Sequence, residues 1–82
     1  MVRADLRILP ATGDKDKVIK LVDKAINIIE ASGISHEVTP TCTLLMGSLD
    51  QILALVKKIH EELSKENICF LTWELRVFEF KP

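Results

Sequence analysis

The 82 residues leave room for one domain, spanning residues 1–82, and for no second core. A hydrophobic share of 48% argues against disorder, and a formal net charge of −1 without a clustered basic face argues against a phosphate-neutralising nucleic-acid binder. No run nears the roughly 20 apolar residues that span a bilayer, and the N-terminus has no basic start ahead of an apolar stretch. The chain is therefore expected in the cytoplasm, with neither membrane nor nucleic acid as a partner.

Val2, Ala4, Leu6 and Ile8 alternate with Arg3, Asp5 and Arg7, a period of two that predicts a half-buried strand over 2–9. Pro10 and Gly13 are expected to break it. Asp14 is placed to cap a helix. Val18, Leu21, Val22, Ala25, Ile26, Ile28 and Ile29 supply its apolar stripe, and Gly33 its C-terminal stop. Ser35 to Thr39 and Cys42 to Gly47 predict two short strands joined around Pro40-Thr41. Their register is open, and a slip of one residue would reverse every side chain.

Ser48 and Gln51 form an S-x-x-Q capping box that opens a second helix. Its predicted stripe is Leu49, Ile52, Leu53, Val56, Ile59 and Leu63, and its end is set near Asn67. From Ile68 to Phe80 the alternation returns: Cys69, Leu71, Trp73, Leu75 and Val77 share one face, Phe70, Thr72, Glu74, Arg76, Phe78 and Phe80 the other. At about 3.3 Å per residue such a strand would run on the order of 40 Å and project past its sheet. A faint repeat relates Val18, Ile19, Leu21, Val22 and Lys24 to Ile52, Leu53, Leu55, Val56 and Lys58.

Two βαβ halves of this kind interleave as an α+β, ferredoxin-like βαββαβ fold, a four-stranded antiparallel sheet with two helices on one face. The other face then carries Phe78 and Phe80 beside charges, and the last strand offers an unprotected edge. A small core gains from a partner. Self-association into a dimer or tetramer through sheet edges and faces is expected, with a small-ligand pocket near the subunit interface. Glu37, Glu74 and Asp5 could meet a cationic group there, and Trp73, Phe78 or Phe80 could stack on a flat ring. Parity alone puts Trp73 in the core.

Catalysis is not expected. His36 and His60 are the sole histidines, with His60 on a solvated helix flank, and no metal-ligand spacing, phosphate loop or serine elbow is present. Cys42 and Cys69 lack a C-x-x-C pairing and are expected as buried reduced thiols, so neither a metal nor a cofactor is anticipated.

The chain also resembles the small thiamine-binding-like proteins related to YkoF-type thiamine and hydroxymethylpyrimidine binders. The resemblance is carried by Ile8-Leu9-Pro10, Val22-Asp23-Lys24-Ala25-Ile26, Ala31-Ser32-Gly33-Ile34-Ser35-His36-Glu37-Val38, Pro40-Thr41-Cys42-Thr43 and Met46-Gly47-Ser48-Leu49-Asp50-Gln51-Ile52. It implies a ferredoxin-like protomer, homo-oligomers built by sheet association, binding of thiamine or its pyrimidine part, and no catalysis. It carries over Glu37, Thr43 and Gly47 as ligand-binding residues, to which His36, Glu74 and Phe78 are added as candidates. Met46 stands where the family segment often has glutamate, and His36 where an aromatic is common. An ACT-like regulatory or protein-interaction module shares the same element order and is the alternative.

Overall fold

The alternation at the N-terminus builds β1 (Val2–Ala11), whose Val2, Ala4 and Leu6 are buried while Arg3 and Arg7 are exposed. The computed structural model describes residues 1–81. In it β1 is followed by α1 (Lys15–Ser32), β2 (Ser35–Val38), β3 (Thr43–Gly47), α2 (Leu49–Leu63) and β4 (Phe70–Phe78). The βαββαβ order is thus as read, and the strands form one antiparallel sheet ordered β2-β3-β1-β4. One cluster joins the buried residues of β1 and β3 to Leu21, Ala25 and Ile29 of α1 and to Ile52, Leu55, Val56, Ile59 and Leu63 of α2. Both helices therefore cover the same face.

The helix ends follow from local chemistry. The Asp14 carboxylate accepts from the backbone N–H groups of Asp16 and Lys17 at 3.0 and 3.3 Å, satisfying donors that have no partner in the first turn. Gly33 takes φ 76°, the left-handed cap that favours glycine. The Ser48 hydroxyl accepts from the Gln51 backbone N–H at 3.1 Å and the Gln51 side-chain Oε1 accepts from the Ser48 backbone N–H at 2.9 Å, a complete capping box.

Four boundaries and burials differ from expectation. Pro10 does not end β1: it pairs with Leu71, beyond the last β3 contact at Leu6. There one side of β1 has no strand neighbour, so a missing donor is tolerated. The second helix ends at Leu63, not Asn67, because the Ser64 hydroxyl donates to the His60 carbonyl at 2.6 Å and the Lys65 and Glu66 N–H groups reach back only three residues. In α2, Leu55 is buried whereas Leu49 and Leu53 are exposed; 52, 55, 56, 59 and 63 form the tighter stripe, and 53 lies a further 100° or so around. The last strand is Phe70–Phe78 rather than 68–80, and all nine residues pair with Arg3–Ala11. It overshoots β3, but β1 overshoots with it.

Edge position also overrides parity for two side chains, Trp73 and Cys69. Trp73 faces the helices yet stays 37% exposed, because β4 is the outermost strand; its indole N–H donates to His60 Nδ1 at 3.0 Å. Cys69, just ahead of β4, is exposed, and Cys42 in the β2–β3 turn is only half-buried, so neither is an interior thiol. The Lys24 ammonium ties α1 to the segment after α2 through Glu66 at 2.9 Å, and that hydrogen bond and charge hold the Glu66 carboxyl below its usual range.

Candidate ligand-binding site

The pairing pattern opens a gap. β3 accompanies β1 only over Val2–Leu6, leaving Arg7–Leu9 without a strand on that side. The β2–β3 turn and α1 bound the space, giving a cleft of about 350 Å³ lined by Leu6–Leu9, by Val22, Ala25, Ile26 and Ile29, and by Val38–Thr43. The turn is stiff for a local reason. The Thr39 hydroxyl donates to the Cys42 carbonyl at 2.8 Å and accepts from the Cys42 N–H at 3.1 Å, while the Thr39 N–H donates to the same carbonyl at 2.8 Å. Pro40 between them has φ fixed by its ring.

The walls are aliphatic and the polar groups few. Thr43 is 8% exposed, and the described residues give its hydroxyl no hydrogen-bond partner, although no buried side-chain oxygen among them is left unsatisfied. That hydroxyl is therefore not fully buried, on a residue that lines the cleft. Among the described residues, Arg7 is the one charged residue in the lining, and no carboxylate contributes.

Thr41, Cys42 and Arg7 also border a depression of about 390 Å³ on the opposite, helix-free face, with Asp5, Glu74 and Arg76. Two cross-strand ion pairs floor it: Arg76 to Asp5 at 3.1 and 3.3 Å, and Arg7 to Glu74 at 3.8 Å. The hydrogen bond and charge of Asp5 raise the guanidinium pKa of Arg76 further. Beside them Leu9, Leu44, Phe70 and Phe78 are exposed, on the face set by pairing Asp5 with Leu44 and Arg3 with Phe78.

The six candidate residues do not converge on one site. Thr43 lines the cleft. Glu37, Glu74 and Phe78 lie on the uncovered face, by their pairing with Leu44, Arg7 and Arg3. His36 pairs with Leu45 on the helix side, and its Nδ1 is held 2.8 Å from the Ile34 carbonyl oxygen. Gly47 sits at the other end of β3, where a Cβ would stand 2.8 Å from Gln51 Oε1. Its structural service is room for the capping box. Gly47→Ala is expected to displace the Gln51 carboxamide and lower stability by about 0.5–1 kcal/mol, read from urea unfolding, with ligand affinity unchanged.

Sequence reasoning missed Val22, Ala25 and Ile26 as cleft walls, because a helical stripe looks the same whether it meets a strand or a void. It also missed Thr39 and Thr41. The threonine-rich run Thr39-Pro40-Thr41-Cys42-Thr43 was the available signal.

Comparisons with known proteins converge on one family. A family model described as thiamine-binding protein matches residues 4–77. A UPF0045 protein of Clostridium perfringens is 41% identical over 56 residues, covering 68% of this chain and 58% of that relative. The match thus spans less than two thirds of the relative's length. Among solved structures, a domain of unknown function, DUF77, from Bacillus cereus superposes with a TM-score of 0.84 at 28% identity, covering 96% of this chain and 75% of the other. A candidate thiamine biosynthesis/salvage protein of Thermotoga maritima gives a TM-score of 0.84 at 25% identity, covering 98% and 83%.

Proposed function

This chain belongs to the thiamine-binding protein family, and we propose that it is a non-catalytic binder that takes the pyrimidine part of thiamine into the cleft beneath the Thr39–Cys42 turn. The observation that carries this reading is the cleft itself: aliphatic walls, a rigid polar turn and an unpartnered Thr43 hydroxyl. A flat heteroaromatic ring suits apolar walls with a few convergent polar groups. A cationic thiazolium has no carboxylate to meet among the residues that line it. The neutral hydroxymethylpyrimidine is therefore the better ligand, with any thiazolium left outside. Binding rather than reaction is favoured because neither histidine lines the cleft, and the Nδ1 atoms of both are engaged with Ile34 and Trp73.

The subunit is proposed to self-associate. Phe70, Phe78 and Leu44 on the helix-free face, and Phe80 beyond it, are exposed, and burying one such side chain contributes about 1.5–3 kcal/mol. Because Arg7, Thr41 and Cys42 border both the cleft and the helix-free depression, a partner covering that face would stand beside the ligand.

Calorimetric titration tests the ligand. Hydroxymethylpyrimidine is expected to bind at least about tenfold more tightly than thiamine, and Thr43→Val to weaken it about tenfold, as loss of one hydrogen bond to a buried polar group does. An amino acid binding where both pyrimidine compounds are silent would move the protein to the ACT-like regulatory class.

A further inference from the structure

Past Leu6 the side of β1 that meets β3 has no strand beside it, and the ladder fixes which backbone groups point into that gap. The Thr39 N–H donates to the Cys42 carbonyl at 2.8 Å across the β2–β3 hairpin. Cys42 therefore turns its peptide groups toward β2. Thr43, the next residue, turns its own toward β1, because successive residues of a strand bond to opposite sides. Thr43 pairs with Leu6, so Leu6 bonds toward β3, and by the same alternation Ile8 and Pro10 point the same way. The far end of β1 agrees: the Ala11 carbonyl accepts from the Cys69 N–H at 3.1 Å and so faces β4.

Pro10 has no N–H and lies outside the cleft lining, whereas Ile8 is part of it. β3 gives Ile8 no pair, and among the described residues no turn or loop bond reaches it. One donor and one acceptor of the same residue thus stand side by side, free, on the wall of the cleft. Backbone groups in such a place are nearly always satisfied, and here only a ligand is left to do it.

Resting on the ligand reading proposed above, we infer that Ile8 recognises the aminopyrimidine ring through its main chain, its N–H donating to ring N3 and its carbonyl accepting from the 4-amino group. The ring then fills the missing rung of the sheet, lying near the sheet plane with one face against Val22 and Ile26 of α1. Direction along the strand sets its orientation. The N–H precedes the carbonyl, so N3 and the 2-methyl group lie toward Leu6 and Thr43, and the amine and the C5 substituent toward Pro10. Beyond Leu6 β3 is absent, so this is the open end, and a thiazolium carried on the C5 methylene leaves by it. A 4-oxo ring offers its donor and acceptor in the reverse order. To meet Ile8 it must turn over, which drives the C5 substituent toward β3.

Titrations and amide NMR of the full chain test the inference together. Hydroxymethylpyrimidine is expected to bind at least about tenfold more tightly than 5-hydroxymethyl-2-methylpyrimidine, which lacks the amine, and than its 4-oxo counterpart, since a site built for a hydrogen bond rejects a ligand that cannot make it. Without ligand the Ile8 amide should exchange with solvent quickly while that of Leu6, bonded to Thr43, is protected. Saturating hydroxymethylpyrimidine should slow Ile8 exchange at least about tenfold and move its amide proton downfield. Ile8→Pro removes the donor at a position where no ladder bond is lost, and should weaken binding at least about tenfold with cooperative urea unfolding retained. Should that variant not fold, the wild-type exchange and analogue titrations decide alone. Hydroxymethylpyrimidine that binds while the Ile8 amide stays unshifted and unprotected, or no better than the compound lacking the amine, overturns main-chain recognition and leaves the ligand reading standing. No binding of hydroxymethylpyrimidine at any concentration overturns both.

Discussion

Leu45→Ala is expected to destabilise the protein by about 3–4 kcal/mol, enough to remove much of the stability of a chain this small. Leu45 is 0% exposed and lies across from Ala4 in β1 and His36 in β2, beneath both helices. Alanine there deletes buried methyl groups and leaves a cavity among fixed neighbours, so the lost transfer energy and the cavity cost add. Leu44→Ala is the matched comparison. Leu44 points to the other face and is 36% exposed, so in a monomer its truncation should cost under about 1 kcal/mol, as surface changes do. Urea unfolding of both variants at low protein concentration reads the difference directly. Equal losses would mean that the hairpin is paired one residue out of the register described. A Leu44→Ala cost that grows with protein concentration would instead report a partner on the helix-free face.

Val22→Trp is expected to weaken hydroxymethylpyrimidine binding at least about 100-fold, roughly 2.7 kcal/mol at 1.4 kcal/mol per factor of ten. Val22 is half-buried on the α1 wall of the cleft. An indole in its place would occupy the room a flat ring requires, and overpacking such a space costs about 1–3 kcal/mol before any ligand contact is lost. Ile19→Trp supplies the control, since Ile19 projects from the exposed side of the same helix and lines no part of the cleft. It should leave titration curves unchanged. Retained affinity in Val22→Trp, with unfolding midpoints near wild type, would remove the ligand from this cleft.

Much of the architecture was legible because each element carries its own local signal. Alternation at Val2–Ile8 and Phe70–Phe78 marks faces regardless of context, and Asp14, Gly33, Ser48 and Gln51 solve hydrogen-bonding problems within four residues of themselves. The candidate site was legible only at Thr43. Glu37 on β2 and Glu74 and Phe78 on β4 lie on the opposite face of the sheet, and Gly47 lies a strand length away. Family resemblance drew in the stretch Pro40 to Thr43, which lines the cleft, without saying which side of the sheet those residues serve.

The sequence by itself determined the element order, the two faces of β1 and β4 and the capped helix ends, since periodicity and capping are short-range effects. Tertiary structure alone decided the hairpin register, the exposure of Trp73 and Cys69 and the existence of the cleft. Each depends on which strand is outermost and where one strand stops short of its neighbour, and no local pattern records the length of a partner strand.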